Sequence, residues 1–288
     1  MIPKPFEYFA PRTLEDALSF LEEKGENAKI MSGGQSLIPL LKLRLASPDY
    51  IVDISRIGGL DFVKSVRGEI RIGALNQLSK LLYDPTVGKA LPILVDAIKL
   101  IADPQVRNMG TIGGNICHGD PGNDLPAVML ALGATFIAMG PKGQRTISSQ
   151  DFFVDTFQTD LKPGEILTEI VIPDQGANSY GTYLKLEKRA GDFAIAGAAV
   201  QVSMKGKTCQ RVGIGLTSVA PKPVKAFEAE NQLKGKELNE KNILAATERI
   251  DQYLDPASDL RGPADYKREM AKVLVARALR KVSTMAGV

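Results

Sequence analysis

Between Asp103 and Asp124 the chain reads DPQVRNMGTIGGNICHGDPGND, with five glycines, two prolines, three aspartates and the only histidine of the sequence. A simple chain reversal needs one or two such residues, so this density answers a different demand. Glycine lets the backbone approach a ligand closely and leaves its N–H uncovered by a side chain. Thr111, Gly113, Gly114 and Asn115 could form a nest of donors facing an anion. After Asp124 the pattern turns helical (LPAVMLALGA), with Asp124 placed to cap that helix. A glycine loop beside a helix start is a physical recipe for holding phosphate. A second stretch of the same kind, Met31-Ser-Gly-Gly-Gln-Ser-Leu37, follows the apolar run AKIM and precedes IPLLKLRL. There Gly33 and Gly34 expose backbone donors, while Gln35 and Ser36 add side-chain donors. Two strand–loop–helix units of this type suggest a two-walled site for a long phosphate-bearing ligand, such as a dinucleotide. The bland alternative is a pair of tight loops packed under helices.

Other chemistries find little support. Neither loop carries the G-x-G-x-x-G or G-x-x-x-x-G-K-[ST] spacing of the common nucleotide fingerprints. With His118 as the only histidine, a Ser-His-Asp triad or a multi-histidine metal site is all but excluded. His118, Cys117, Asp120 and Asp124 could in principle surround a metal, but Asx-type hydrogen bonds account for such a loop without one. The two cysteines, Cys117 and Cys209, supply neither a disulfide framework nor a cysteine metal site. No paired carboxylates stand out for hydrolysis. We therefore assign no catalytic and no metal-ligating residue. An elaborate ligand loop without an acid–base set suits a redox cofactor that brings its own chemistry.

Elements of alternating type must position these loops. Thr13 with Asp16 opens a helix over LEDALSFLEEKG, whose core face is Leu14, Ala17, Leu18 and Leu21 and whose stop is Gly25. The run AKIM, the glycine loop, a helix to Leu45 and the strand DYIVDI complete a small α/β unit over residues 1–53. A second unit, 54–176, contains the strand EIRIGA, helices over NQLSKLLYD and VGKALPILVDAIKLIAD, the long glycine loop, a helix from Leu125 to Leu132, and strands ATFIAM and GEILTEIVIP. The polar segment DQGANS marks a boundary. Beyond it TYLKLEKR, AIAGAAVQVSMKG and TCQRVGIGLTSVA read as three strands joined by short turns, hence an antiparallel sheet. Three amphipathic helices follow, over PVKAFEAENQLKG, NEKNILAATERIDQYL and PADYKREMAKVLVARALRKVST. The expected class is α+β, with domains at 1–176 and 177–288.

Bulk properties agree. The chain has 288 residues, enough for a sizeable core. A net charge of +3 with both signs interspersed does not mark a nucleic-acid binder. MIPKPFEYF lacks the apolar core of a secretory signal, and no run is long enough to span a bilayer. Together with the scarce cysteines, this points to a reducing, cytoplasmic setting.

SGGQSLIPLLKLRLASPDYIVDI and ADPQVRNMGTIGGNICHGDPGNDLPA together resemble the FAD-binding medium subunit of molybdenum hydroxylases, nearest the aerobic carbon monoxide dehydrogenase branch. The resemblance runs from MIPKPFEYFAPRTLEDAL through GEILTEIVIP, KLEKRAGDFAIAGAAV and GLTSVAPKP to DLRGPADYKREMA. It implies the split FAD fold of the PCMH/vanillyl-alcohol-oxidase type, two α/β subdomains with FAD between them, followed by the C-terminal domain with its three-stranded sheet and helix bundle. It implies that Met31, Ser32, Gly33, Gly34, Gln35, Ser36, Leu37 and Ile38, with Thr111, Ile112, Gly113, Gly114 and Asn115, hold the FAD pyrophosphate. Asp124 matches the acid that contacts ribitol or ribose hydroxyls. Ile101, Leu167, Lys185 and Phe193 match positions near the isoalloxazine, where a lysine can stabilise negative charge on the reduced ring. For Lys185 a solvated strand lysine is the competing reading, and for Asp124 a helix cap. Three positions depart from the branch: Gln35 stands for its usual histidine, Asn115 for an aspartate and Phe193 for a tyrosine. All three permit FAD binding but weaken the assignment to carbon monoxide.

The function so implied is electron transfer. A large subunit with a molybdenum-pterin cofactor oxidises substrate, and a small subunit carries two [2Fe-2S] clusters. With two cysteines this chain cannot supply the four ligands of such a cluster. FAD passes electrons to a quinone, NAD or another acceptor, in a complex of (αβγ)2 form that is compatible with peripheral association at the inner face of the membrane. Alternatives are the FAD subunit of a hydroxylase acting on an aldehyde, purine or N-heterocycle, a stand-alone flavin oxidoreductase, or a non-enzymatic module holding another nucleotide or anion.

Overall fold

The computed structural model describes residues 2–288. The first unit comprises β1 (Glu7–Phe9), α1 (Leu14–Lys24), β2 (Ala28–Met31), α2 (Leu37–Lys42) and β3 (Tyr50–Asp53). Its three strands lie parallel in the order β1-β3-β2. Thr13 caps α1 by accepting from the Asp16 N–H, and Gly25 stops it at φ +56°. Ala17 and Leu21 of α1 pack on Val52 and Ile54 in a small core that Leu75 and Ile166 complete. The helix expected to reach Leu45 ends at Lys42, and Arg44 turns into left-handed backbone at φ 59°.

The second unit runs through β4 (Val63–Val66), β5 (Glu69–Gly73), α3 (Leu78–Tyr83), α4 (Pro85–Ala90), α5 (Pro92–Lys99), α6 (Pro104–Met109), α7 (Ile112–Cys117), α8 (Asp124–Leu132), β6 (Thr135–Gly140), β7 (Gly143–Ser148), α9 (Ser149–Phe152), β8 (Phe153–Asp155), β9 (Gln158–Thr159) and β10 (Ile166–Pro173). Five strands form an antiparallel sheet in the order β4-β5-β10-β6-β7. Two sequence expectations are corrected. The single helix over VGKALPILVDAIKLIAD breaks at Leu91, because Pro92 lacks the N–H that would continue it and starts α5 instead. The long glycine stretch is not one loop but holds two short helices. Asp103 caps α6 by accepting from the Val106 N–H, and Thr111 caps α7 by accepting from the Gly114 N–H. Local caps thus organise what composition alone reads as irregular.

The third unit contains β11 (Ser179–Leu186), β12 (Ala196–Lys205), β13 (Thr208–Thr217) and β14 (Val224–Lys225), then α10 (Phe227–Leu233), α11 (Glu240–Glu248) and α12 (Ala264–Ala286). The expected three-stranded antiparallel sheet gains the two-residue β14 at its edge, in the order β11-β12-β13-β14. α10, α11 and α12 close a second large core over one face of that sheet.

α8 joins the units. All nine of its residues are buried, and it is apolar on every side after Asp124. Such a helix must be covered all round. One side shares a core with Phe136, Ile170 and Ile172 of the second sheet. The other lies directly on β13, where a Cβ at Gly213 or Gly215 would collide with the carbonyls of Ala131 and Ala127. Two glycines at alternate positions of one strand therefore set the distance of closest approach. Tyr183 of β11 and Ala199 of β12 belong to the same core as α8, so the units share one interior.

Candidate functional site

The two glycine stretches meet, as the sequence suggests. Gly33 packs against the Met109–Gly110 backbone so tightly that a Cβ would overlap the Met109 carbonyl. Ser32 Oγ and Thr111 Oγ1 share a hydrogen bond of 3.0 Å. Gly114 sits behind that pair, and a Cβ there would lie 2.6 Å from Ser32 Oγ and 2.9 Å from Thr111 Oγ1.

Their donors are used differently. The Ile112 N–H goes to Asn76 O, Gly113 to Ala74 O, Gly114 to Thr111 Oγ1 and Asn115 to Thr111 O. The nest expected at Thr111–Asn115 is therefore occupied from within, and Gly113 is small because Ala74 lies against it. In the first loop the N–H groups of Gly33, Gly34, Gln35 and Ser36 find no acceptor among the described residues. Gly34 turns at φ +58°, with Met31 Sδ and the Ile38 side chain folded over it, while Leu37 opens α2. Gln35 Nε2 donates back to Gly33 O at 3.1 Å, so that side chain stiffens the loop and offers less to a ligand than expected. On the second wall, Asn115 Oδ1 is buried without a partner among the described residues. Free N–H groups call for an acceptor-rich ligand and the orphan amide oxygen for a donor.

Asp124 is not the cap of α8 but its first residue, Asn123 preceding it as cap. Asp124 is 5% exposed. Oδ1 accepts from the Tyr183 hydroxyl at 2.5 Å and Oδ2 from Lys185 Nζ at 3.1 Å. Burial pushes this carboxyl up to about 6, against the pull of Lys185 and Tyr183. The solvated-lysine reading of Lys185 is overturned, since its side chain is 1% exposed. Its ammonium donates to Asp124 and to Leu100 O at 3.0 Å, and it pairs with Glu187 Oε2 at 3.1 Å. Ile101, beside Leu100, and Leu167, on β10 at a register shift, are buried in the common core. Asn123 Nδ2 donates to Asn115 O at 2.8 Å and so ties the start of α8 to the second loop.

Comparison with known proteins names the family. The FAD binding domain in molybdopterin dehydrogenase is matched over residues 4–175. The chain belongs to this FAD-binding family. Residues 181–282 match the CO dehydrogenase flavoprotein C-terminal domain. The carbon monoxide dehydrogenase medium chain of Hydrogenophaga pseudoflava is 42% identical, over 97% of each chain. The glyceraldehyde dehydrogenase medium chain of Sulfolobus acidocaldarius is 40% identical, over 98% of this chain and all of that one. A solved carbon monoxide dehydrogenase structure from Hydrogenophaga pseudoflava superposes with a TM-score of 0.97 at 43% identity, over 99% of each chain. The chain is thus a flavoprotein subunit of the oxidoreductase class, and FAD is its cofactor.

The residues of this flavoprotein fit that cofactor. A diphosphate would supply acceptors for Gly33–Ser36, and sugar or ribitol hydroxyls would supply donors for Asn115 Oδ1 and the free lone pairs of Asp124. Phe193 lines a cavity of about 490 Å³ with Asp120, Gly122, Phe157 and Ser218. It is 42% exposed, under the Arg261 guanidinium at 5.5 Å. Phe157 and Ser218 hold positive φ at 55° and 65°, strain of the kind that gathers at functional sites. His118 packs on Phe157 at 5.2 Å, and burial lowers its pKa. Among the described residues no cluster of metal-ligating side chains forms. Burial also pushes the Cys117 thiol up to about 12, an inert group. Sequence reasoning missed Tyr183 and Arg261. Tyr183 lies two residues before Lys185, so strand period alone could have flagged it as sharing that face.

Proposed function

We propose that this chain is the electron-transfer subunit of a molybdenum hydroxylase of the carbon monoxide dehydrogenase type. The observation that carries the reading is the row of unpartnered N–H groups from Gly33 to Ser36 together with the orphan Asn115 Oδ1. Gly33, Gly34, Gln35 and Ser36 would bind the diphosphate of FAD through main-chain N–H groups, which offset charge without a basic side chain. Ser32 and Thr111 would keep the two loops in register, and Asp124 would accept from cofactor hydroxyls. Bound FAD would supply the redox chemistry, taking electrons from [2Fe-2S] clusters of a small partner subunit and passing them to an acceptor such as a quinone or NAD. Substrate oxidation would belong to a large molybdenum-pterin subunit.

The cavity at Phe193, Phe157 and Arg261 is the opening through which we place access of the acceptor. We place domains at 1–176 and 177–288, a division supported by the C-terminal sheet β11-β12-β13-β14 being built from strands after 176 alone. Among the described residues no helix is long and apolar enough to cross a membrane.

Carbon monoxide is the first substrate to test. A second reading, aldehyde oxidation, is favoured by the 40% identity to the glyceraldehyde enzyme's medium chain, nearly equal to the 42% of the carbon monoxide enzyme's. The experiment is an absorption spectrum and metal analysis of the chain purified with its partners, followed by dye reduction with carbon monoxide and with glyceraldehyde. Flavin bands with iron and molybdenum support the subunit role. Flavin on the isolated chain alone, with no metal in any preparation, supports a stand-alone flavoprotein. A colourless preparation that takes up no FAD overturns the cofactor assignment.

A further inference from the structure

On β11 and the residue after it, three alternate positions, Tyr183, Lys185 and Glu187, share one face, and all converge on the start of α8. Tyr183 is 2% exposed, and its hydroxyl donates to Asp124 at 2.5 Å. The opposite strand leaves room there: a Cβ at Gly197 would lie 2.5 Å from Tyr183 Oη and 2.6 Å from Thr217 Cγ2. Lys185 pairs with two carboxylates, Asp124 and the partly buried Glu187. The charged and titratable groups that act on Asp124 are Lys185, Tyr183 and Glu187. The end of α5 adds the neutral Leu100 O, while Asn115 of α7 and Thr217 of β13 bond the neighbouring Asn123. His118, the only histidine, whose pKa burial lowers, faces Phe157 and Asp120 instead.

We infer that Tyr183 is a positioning residue for FAD: its hydroxyl, given room by Gly197, aims the Asp124 carboxylate at the cofactor and holds it ionised there. This rests on the FAD reading above and goes beyond it, because it makes cofactor retention depend on the protonation of one buried acid and on a tyrosine that need not touch the cofactor. An ionised Asp124 accepts from cofactor hydroxyls with both oxygens, whereas protonation fills a lone pair and turns one oxygen into a donor. Since burial raises the carboxyl to about 6, retention weakens as pH falls through that range. Tyr183→Phe removes a hydrogen bond to the charged form and so moves the midpoint upward.

The test uses the complex as purified, with released FAD followed by its fluorescence across pH 4.5 to 8. The wild type should lose FAD with a midpoint near 6, and Tyr183→Phe should move that midpoint upward. Gly197→Ala, which crowds the hydroxyl without removing it, should move it in the same direction. A purely structural tyrosine would weaken retention equally at every pH with the midpoint unmoved, and that result overturns the inference. So does a midpoint that follows His118→Gln instead of Tyr183→Phe. Wild-type complex without flavin at any pH would overturn the FAD reading itself, and this inference with it.

Discussion

At the scale of single residues, the site is defined by what each group already touches. Gly114 has no room for a side chain behind the Ser32–Thr111 pair. Gly114→Val should abolish FAD retention while leaving far-ultraviolet circular dichroism unchanged, measured as flavin per protein. A lysine acting only on the flavin ring could be removed without harm to the fold. Lys185 is not of that kind, because it is buried among three partners. Lys185→Ala leaves two carboxylates uncompensated, and removing one partner of a buried pair costs about 3–5 kcal/mol. Urea unfolding should show that loss. Asp124 gives a pH effect of defined sign in the cofactor-free chain. Its folded carboxyl lies at about 6, above the ordinary 3.8, so the folded state holds the proton more tightly. Its favourable contribution is complete below the unfolded value and disappears as pH rises through 6. The size of that contribution is about 1.4 kcal/mol for each tenfold difference in proton affinity between the folded and unfolded states. Wild type should therefore lose stability relative to Asp124→Asn between about pH 4 and 6, read from urea midpoints.

At the scale of elements, α8 is the piece on which the rest depends. It is buried along its whole length, and its first residue is the acid of the site. Gly213 and Gly215 let it lie on β13 without a side chain between. Gly215→Ala inserts a methyl into a contact with no slack, an overpacking that costs about 1–3 kcal/mol. Because the displaced helix carries Asp124, the variant should also lose FAD more readily than its stability alone requires. Denaturant midpoint and flavin content, measured on the same preparation, separate the two effects.

At the scale of the whole molecule, the C-terminal sheet completes the core around α8 and supplies Tyr183 and Lys185 to Asp124. A fragment ending at residue 176 would expose one apolar side of α8 and strip Asp124 of both donors. Such a fragment should bind a hydrophobic dye, associate in size-exclusion chromatography and retain no FAD. A fragment that stays monomeric and yellow would show that the third unit is dispensable to the site.

The sequence by itself determined the local features. Thr13, Gly25 and the strand runs AKIM, DYIVDI and GEILTEIVIP specify elements through caps and periodicity, which neighbours along the chain decide. The two glycine stretches were legible as ligand walls because glycine at such density has few other uses. Which wall keeps its donors free was not legible, since it depends on Ala74 and Asn76, remote residues that take the N–H groups of Gly113 and Ile112. The split of the long stretch into α6 and α7 escaped a reading by composition, although the caps Asp103 and Thr111 were in plain view. Lys185 and Tyr183 could be placed on a strand but not in the interior. Glu187 follows Lys185 by strand period, but burial of a lysine depends on what other elements bring to it, and only the tertiary structure delivers Asp124 and the Leu100 carbonyl to its ammonium group.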